Sequence, residues 1–332
     1  MNKKLNANFV KVVNILSDGE YHDGTTMGEK LQMTRSAVWK FIKKLESNNI
    51  RIDSIKGKGY ALLEPLVLLD VNKIKKNVTS ENVEFSIFEN IDSTNEYLKS
   101  LKIKSVRNAN SIKICLSEQQ SHGRGRLNRE WYSPFGKNVY LSCLYHFQKD
   151  VSELSGLSLV VSLAVLKTLK SYGIREHLYV KWPNDILYAG NKISGSLIEI
   201  QAETHGECQV IIGIGVNVNM MDDGYNHISQ AWTSLQRILN VYVDRSELCA
   251  RLINNLLVYL RQFDVNGLRA FIDEWKSADC LTNQDVTVKN INETIRGTVT
   301  GINDQGHLIL QLEDGTLRAF SSGDTSIVKK TS

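Results

Sequence analysis

Four runs in this 332-residue sequence combine side-chain types suited to chemistry rather than packing. The first, Asp92-Ser93-Thr94-Asn95, gathers short oxygen-bearing side chains; alone it reads as a helix N-cap and nothing more. The second is Gln120 with Gly123-Arg124-Gly125-Arg126, followed by Trp131 and Ser133-Pro134-Phe135-Gly136. Alternating Gly and Arg makes a loop that can close two guanidiniums over an anion, the glycines allowing close backbone approach. Alone, that tetrapeptide serves equally as an RNA- or phosphate-binding surface loop. The third is Lys181-Trp182-Pro183-Asn184-Asp185, with Lys192 seven residues after Asp185 and then Gly195. The fourth is Gly213-Ile214-Gly215-Val216-Asn217-Val218-Asn219.

Several familiar chemistries are absent. The fourth run is not a dinucleotide fingerprint, because Val218 stands where the third glycine belongs and no clear helix follows. Neither a Walker loop nor a G-x-S-x-G nucleophile elbow occurs. The 7 histidines show no metal-ligand spacing, so no metal site is expected. The 5 cysteines, at 115, 143, 208, 249 and 280, form no C-x-x-C and read as buried fillers in a reducing cytoplasm.

Three groups of elements must position these residues. In 1–64, Phe9, Val12, Val13 and Leu16 recur at helical spacing, and Thr25–Leu31 reads as a second short helix. Thr34 then caps a third, with Val38, Phe41, Ile42 and Leu45 as its buried stripe. Its opposite face carries Arg35, Ser36, Trp39, Lys40 and Lys43, and the basic turn Lys56-Gly57-Lys58-Gly59 follows. That order is a winged helix-turn-helix, with the third helix aimed at a major groove and Lys56 and Lys58 beside the phosphates. Charge agrees: residues 1–64 hold 11 Lys/Arg against 7 Asp/Glu, while the rest of the chain carries 29 of each. A basic segment on a neutral body is the footprint of a polyanion binder.

Residues 66–279 alternate strand-like stretches (83–88, 111–116, 139–145, 178–182, 195–199, 209–216) with helix-like ones (94–101, 154–172, 245–263, 268–276). This predicts an α+β body with a mixed sheet. Residues 280–332 change to period-two alternation broken by Asp304-Gln305-Gly306 and Glu313-Asp314-Gly315, predicting a small β-barrel. The longest apolar stretch, Leu157–Leu166, falls short of the roughly 20 residues a membrane span needs.

Taken in order, the four runs resemble the bacterial biotin protein ligases, and within them the bifunctional form that is also the biotin-operon repressor. The resemblance covers essentially the whole chain, domain order included. It implies a winged helix, a central ligase domain like that of the class II aminoacyl-tRNA synthetases, and an SH3-like barrel. It also implies the activity: biotin and ATP give biotinyl-5′-adenylate, with Mg²⁺, and the adenylate acylates a lysine of a biotin carboxyl carrier protein.

By this resemblance Ser93, Thr94, Asn95, Gln120, Arg124, Gly125, Arg126, Lys192 and Gly195 hold biotin. Asn184, Gly215, Asn217 and Trp232 hold the adenylate, and the loop after Asn217 helps enclose it. A carboxylate attacking an α-phosphate needs cations and no covalent enzyme nucleophile, which fits Lys192, Arg124, Arg126 and Lys181 as the catalytic set. His122 and Leu127-Asn128 depart from the family pattern beside the ligand loop. With the adenylate bound, a homodimer would occupy operator DNA, the central sheet around Ile193–Ile200 being a candidate edge for pairing; no membrane is involved. A lipoate-type ligase of the same fold, or a ligand-sensing regulator without ligase activity, are the alternatives.

Overall fold

Capping side chains and apolar spacing set the first elements of the computed structural model, which describes residues 3–80, 82–101, 111–204, 207–222, 228–289 and 293–328. β1 (Lys3–Lys4) leads into α1 (Ala7–Leu16), α2 (Gly24–Leu31) and α3 (Arg35–Ser47). Asn6, Asp23 and Thr34 accept backbone N–H groups at the three helix starts, which helix geometry otherwise leaves open. Gln32 makes the tight connection with a left-handed φ of 54°. Val38, Ile42 and Leu45 are buried as expected, but Phe41 only half so. β2 (Ile52–Ile55) and β3 (Gly59–Leu62) form the wing. At Gly59 (φ +106°) a Cβ would stand 2.1 Å from the His22 carbonyl oxygen, so only glycine lets Tyr60 and His22 exchange backbone bonds of 2.9 and 3.0 Å.

The central elements are α4 (Val71–Asn77), β4 (Val83–Asn90), α5 (Thr94–Ser100), β5 (Ile112–Ser117), β6 (Val139–Phe147) and α6 (Leu157–Lys170). After these come β7 (Leu178–Lys181), β8 (Asp185–Tyr188), β9 (Asn191–Thr204), β10 (Glu207–Val216), α7 (Leu235–Leu239), α8 (Arg245–Asn266) and α9 (Ile272–Ala278). The C-terminal strands are β11 (Asp285–Lys289), β12 (Thr294–Ile302), β13 (Leu308–Gln311), β14 (Leu317–Phe320) and β15 (Asp324–Ile327). The central sheet has the order β1-β4-β5-β6-β10-β9-β8-β7 and is mixed, since β4 and β5 run parallel while β5–β6, β7–β8 and β8–β9 are antiparallel. The C-terminal sheet is antiparallel, in the order β14-β13-β12-β11-β15. Winged helix, mixed-sheet body and C-terminal β domain all match the expectation.

The chain divides into two compact units. The first comprises Met1–Leu144, Gly213–Ser229 and Ser234–Ala250. Within it the three helices share one core with Leu66, Leu68 and Phe135, and the rings of Phe9 and Phe135 lie 6.1 Å apart. Lys44 turns inward, pairing with the buried Glu89 and lying 4.0 Å from the Phe9 ring centroid. Glu118 and Arg245 form a fully buried ion pair at 2.7 Å. Glu118 also accepts the Leu69 N–H at 2.5 Å, and Arg245 donates to the Val67 carbonyl at 2.7 Å. The segment after the winged helix is therefore clamped, not loose.

The second unit comprises Tyr145–Ile212, Gln230–Thr233 and Arg251–Ser332. The helix expected over 154–172 begins later, at Leu157, after a separate 3-10 turn, Val151–Leu154, closed by a capping box from Asp150 and Glu153. Contrary to the sequence reading, Val151–Lys170 is long and apolar enough to cross a membrane by length and composition alone. Yet the segment is mostly buried within the protein, and α6 packs on β7 and β9, as a core helix does. Trp182 is buried and donates from Nε1 to the Gly306 carbonyl at 3.0 Å. The expected sheet edge at Ile193–Ile200 is corrected in its first part: Asn191–Gly195 pairs with β8, and the Ser196 N–H donates to the Asn184 carbonyl.

Candidate functional site

In the first unit, parallel pairing of β4 with β5 brings Ser93, Thr94 and Asn95 beside Gln120 at the carboxyl ends of two neighbouring strands, the usual place for ligands in such sheets. Ser93 sits at the N-cap position of α5 but makes no capping bond with its side chain. Gln120 caps instead: its Oε1 accepts the Thr94 backbone N–H at 2.9 Å and the Thr94 hydroxyl at 3.0 Å. Its Nε2 donates to Ser133 Oγ at 3.2 Å, and Ser133 donates to the Trp131 carbonyl at 2.7 Å. Ser142, on β6, donates to Thr94 Oγ1 and Asn95 Oδ1. Ser93, Thr94, Asn95 and Ser133 are buried, so this is a neutral donor–acceptor cluster held away from water.

The Gly-Arg loop leaves this cluster as a tight hairpin. The Trp131 N–H donates to the Gly123 carbonyl at 2.8 Å, and the Gly125 N–H to the Arg129 carbonyl at 2.7 Å. A Cβ at Gly123 would stand 2.4 Å from the Trp131 carbonyl oxygen. At the tip, Leu127 and Asn128 both adopt left-handed φ, 53° and 57°. Arg124 pairs with Glu96 of α5, and Arg126 is half-buried. The exposed His122 lies 3.7 Å from Asp92, whose carboxyl is held below its ordinary pKa chiefly by the Ser121 hydroxyl.

Gly213 and Gly215 now have a steric reason. A Cβ at Gly213 would meet Asn95 Oδ1 at 2.4 Å, and one at Gly215 would meet the Trp131 ring at 2.4 Å. The spacing serves side chains pressed on the end of β10, and Asn217 just beyond it is buried. The loop expected to help enclose the adenylate includes 223–227, which lie outside the described residues.

In the second unit, the β8–β9 register places Lys192 Nζ 2.8 Å from Asp185 Oδ1, both side chains largely buried. Gly195 opposes Asp185, and a Cβ there would stand 3.1 Å from both Asp185 Oδ1 and Lys192 Cε. The Lys192 backbone is pinned on both sides, donating to Ala231 at 3.0 Å and accepting from Thr233 at 2.9 Å, which brings Trp232 beside it. Asn184 donates to the Ser196 carbonyl at 2.6 Å, and half-buried Lys181 opposes Asp185 in the β7–β8 register. Trp182 anchors this turn from beneath, so its role in the run is packing. The arrangement is a cation held ready by a carboxylate. Among the described residues no group of three or more His, Cys, Asp or Glu is placed to hold a metal ion.

A second surface of the first unit carries Arg35, Ser36, Trp39, Lys40 and Lys43, all exposed along α3, with Lys56 and Lys58 exposed on the wing. Lys58 Nζ lies 5.8 Å from the Tyr21 ring centroid, and the Tyr21 hydroxyl donates to Asp53 of β2, bracing the wing. Sequence reasoning missed Ser142, Glu96, Glu118 and Arg245. A serine in an apolar strand and charges 127 residues apart carry no local signal.

Comparison with known proteins agrees with this layout. Residues 87–217 match the Biotin/lipoate A/B protein ligase family, 282–328 the biotin protein ligase C-terminal domain, and 11–61 an HTH domain. The chain is 35% identical over 316 residues to the bifunctional ligase/repressor BirA of Salmonella typhimurium, covering 95% of this chain and 96% of that protein. It is 33% identical over 318 residues to the Escherichia coli protein of the same name, covering 96% of each. Among solved structures, the biotin protein ligase from Aquifex aeolicus in complex with biotin and ATP matches with a TM-score of 0.63 and 26% identity, over 76% of this chain and 100% of that one. With ligase and helix-turn-helix regions both matched, and near full-length identity above 30%, the chain belongs to the bifunctional biotin protein ligase/repressor family.

Proposed function

We propose that this chain joins biotin to ATP as biotinyl-5′-adenylate, passes the biotinyl group to a lysine of a biotin carboxyl carrier protein, and represses the biotin operon with the adenylate bound. The observation that carries the ligase reading is the uncharged cluster of buried Thr94 and Ser133 with half-buried Gln120. Biotin's ureido group is neutral and offers two N–H donors and one carbonyl acceptor, and a neutral amide–hydroxyl set satisfies it without burying charge. Three domains follow: 1–64 for DNA, 66–279 for the ligase chemistry, and 280–332 as the C-terminal barrel.

In the reaction, a biotin carboxylate oxygen attacks the α-phosphorus of ATP, and the bond to pyrophosphate breaks. A carrier lysine amine then attacks the acyl carbon, and AMP departs. Mg²⁺ enters with ATP as part of that substrate. Ser93, Thr94, Asn95 and Gln120 orient the biotin head, and Gly125 lets Arg124 and Arg126 fold over it. Lys192, held by Asp185 in the space Gly195 leaves, supplies positive charge to the carboxylate and α-phosphate, with Lys181 as a further cation. Asn184, Gly215, Asn217 and Trp232 serve the adenylate. ATP–pyrophosphate exchange tests the reading: biotin should support it and lipoate should not, and exchange with lipoate alone would reverse the assignment.

The exposed Arg35, Ser36, Trp39, Lys40 and Lys43 read operator DNA from the major groove, while Lys56 and Lys58 contact phosphate. One winged helix makes few base contacts, so the repressor acts as a homodimer across two half-sites, assembled when adenylate is bound. All five cysteines are free thiols, which supports a cytoplasmic setting. Sedimentation equilibrium with and without biotin plus ATP checks the dimer: a monomer in both, binding operator equally, would refute it.

A further inference from the structure

We infer that Ser142, buried in β6, is a positioning residue that directs the Thr94 hydroxyl onto Gln120 Oε1, and so reinforces the order of donors and acceptors offered to biotin. The inference rests on the biotin reading above. Ser142 is 0% exposed, and its single hydroxyl hydrogen faces Thr94 Oγ1 at 2.7 Å and Asn95 Oδ1 at 2.5 Å. With the one Ser142 hydrogen shared between Asn95 Oδ1 and Thr94 Oγ1, the hydrogen of Thr94 itself is directed to Gln120 Oε1 at 3.0 Å. The same oxygen accepts the Thr94 backbone N–H at 2.9 Å. With Oε1 committed to the start of α5, Nε2 is turned the other way and gives one hydrogen to Ser133 Oγ at 3.2 Å; Ser133 gives its own to the Trp131 carbonyl at 2.7 Å. Every bond from Ser142 to the Trp131 carbonyl therefore runs in one direction.

A side-chain amide has nearly the same shape in its two orientations, so hydrogen-bond partners alone choose between them. A reversed Gln120 would set its NH₂ against the Thr94 N–H and leave Oε1 toward Ser133. The second Nε2 hydrogen would then no longer face a ureido carbonyl. Asn95 holds the other end of the chain, its Oδ1 standing where a Cβ of residue 213 would be, only 2.4 Å away. Removing the Ser142 hydrogen frees the Thr94 hydroxyl to rotate and leaves the Asn95 carbonyl oxygen without that donor, while no group proposed to touch the phosphates is altered.

The test is biotin- and ATP-dependent pyrophosphate exchange by the full-length chain carrying Ser142→Ala, Ser142→Cys or Ser142→Thr. One buried hydrogen bond corresponds to a rise of about 5- to 10-fold in KM for biotin in Ser142→Ala, with kcat and the KM for ATP within about twofold. Ser142→Thr, which keeps the hydroxyl, should restore the KM for biotin. Ser142→Cys keeps the volume with a weaker donor and carries the same expectation where the alanine chain does not fold. An unchanged KM for biotin, or equal losses for biotin and ATP, would overturn the positioning role while the ligase reading stands. A wild-type chain with no biotin-dependent exchange would overturn the ligase reading, and this inference with it.

Discussion

Lys192 is the side chain on which the rate of adenylate formation should depend most. Lys192→Ala is expected to slow pyrophosphate exchange by about 10²–10³, the cost of removing one preorganised charge at a developing oxyanion. Exchange at the wild-type rate would remove Lys192 from the chemistry. Arg124 has a different task. Its guanidinium pairs with Glu96 of α5, and on the proposed reading it turns to the adenylate when the loop closes. Arg124→Ala should shorten the lifetime of the bound adenylate, read as a faster dissociation rate, because the loop shields a mixed anhydride from water. Candidates of this kind stand out in a sequence because Lys, Arg and Gln in unusual company have few packing explanations. Ser142 and Glu118 were not, since their partners come from strands and helices that only the fold brings together.

At the scale of elements, glycines decide where backbone approaches backbone. Gly59→Ala should break the pairing of β3 with His22, since the new methyl would press on the His22 carbonyl at a φ that alanine rarely adopts. The expected result is weaker operator binding in a gel-shift titration with pyrophosphate exchange unchanged; equal binding would mean that the wing does not touch DNA. Most elements were readable from period and caps, α3 with Thr34 above all. Those that escaped are short or ambiguous. The two residues of β1 have no period, and α4 is mostly lysine and asparagine with only Ile74 buried. β8 starts at the last residue of the run read for its chemistry, and α7 and β15 are 5 and 4 residues long.

Across the whole molecule, motif order predicted the domain order, but the packing of the winged helix was invisible in it. Leu66 and Leu68 look like ordinary residues of the central region and Phe135 stands in a run read for its chemistry, yet the three complete the core of α1–α3. A chain beginning at Leu66 should lose specific DNA binding and retain exchange activity. It should also unfold at a lower temperature than the full chain, because it bares those three side chains to water. Operator-specific binding by the fragment would contradict the assignment of 1–64, and an unchanged melting temperature would contradict the shared core.

The same core has a consequence for synthesis. A ribosome releases the chain from its N-terminus, so α1–α3 leave the tunnel before Phe135, which packs on Phe9, has been added. At about 5–20 residues per second, the stretch from Leu66 to Phe135 takes roughly 4–14 s to make. For that interval the DNA-binding segment exists as a nascent domain with one wall missing. Its maturation is therefore timed by translation of the ligase region, and a regulator able to hold DNA first appears on a polypeptide already committed to becoming an enzyme.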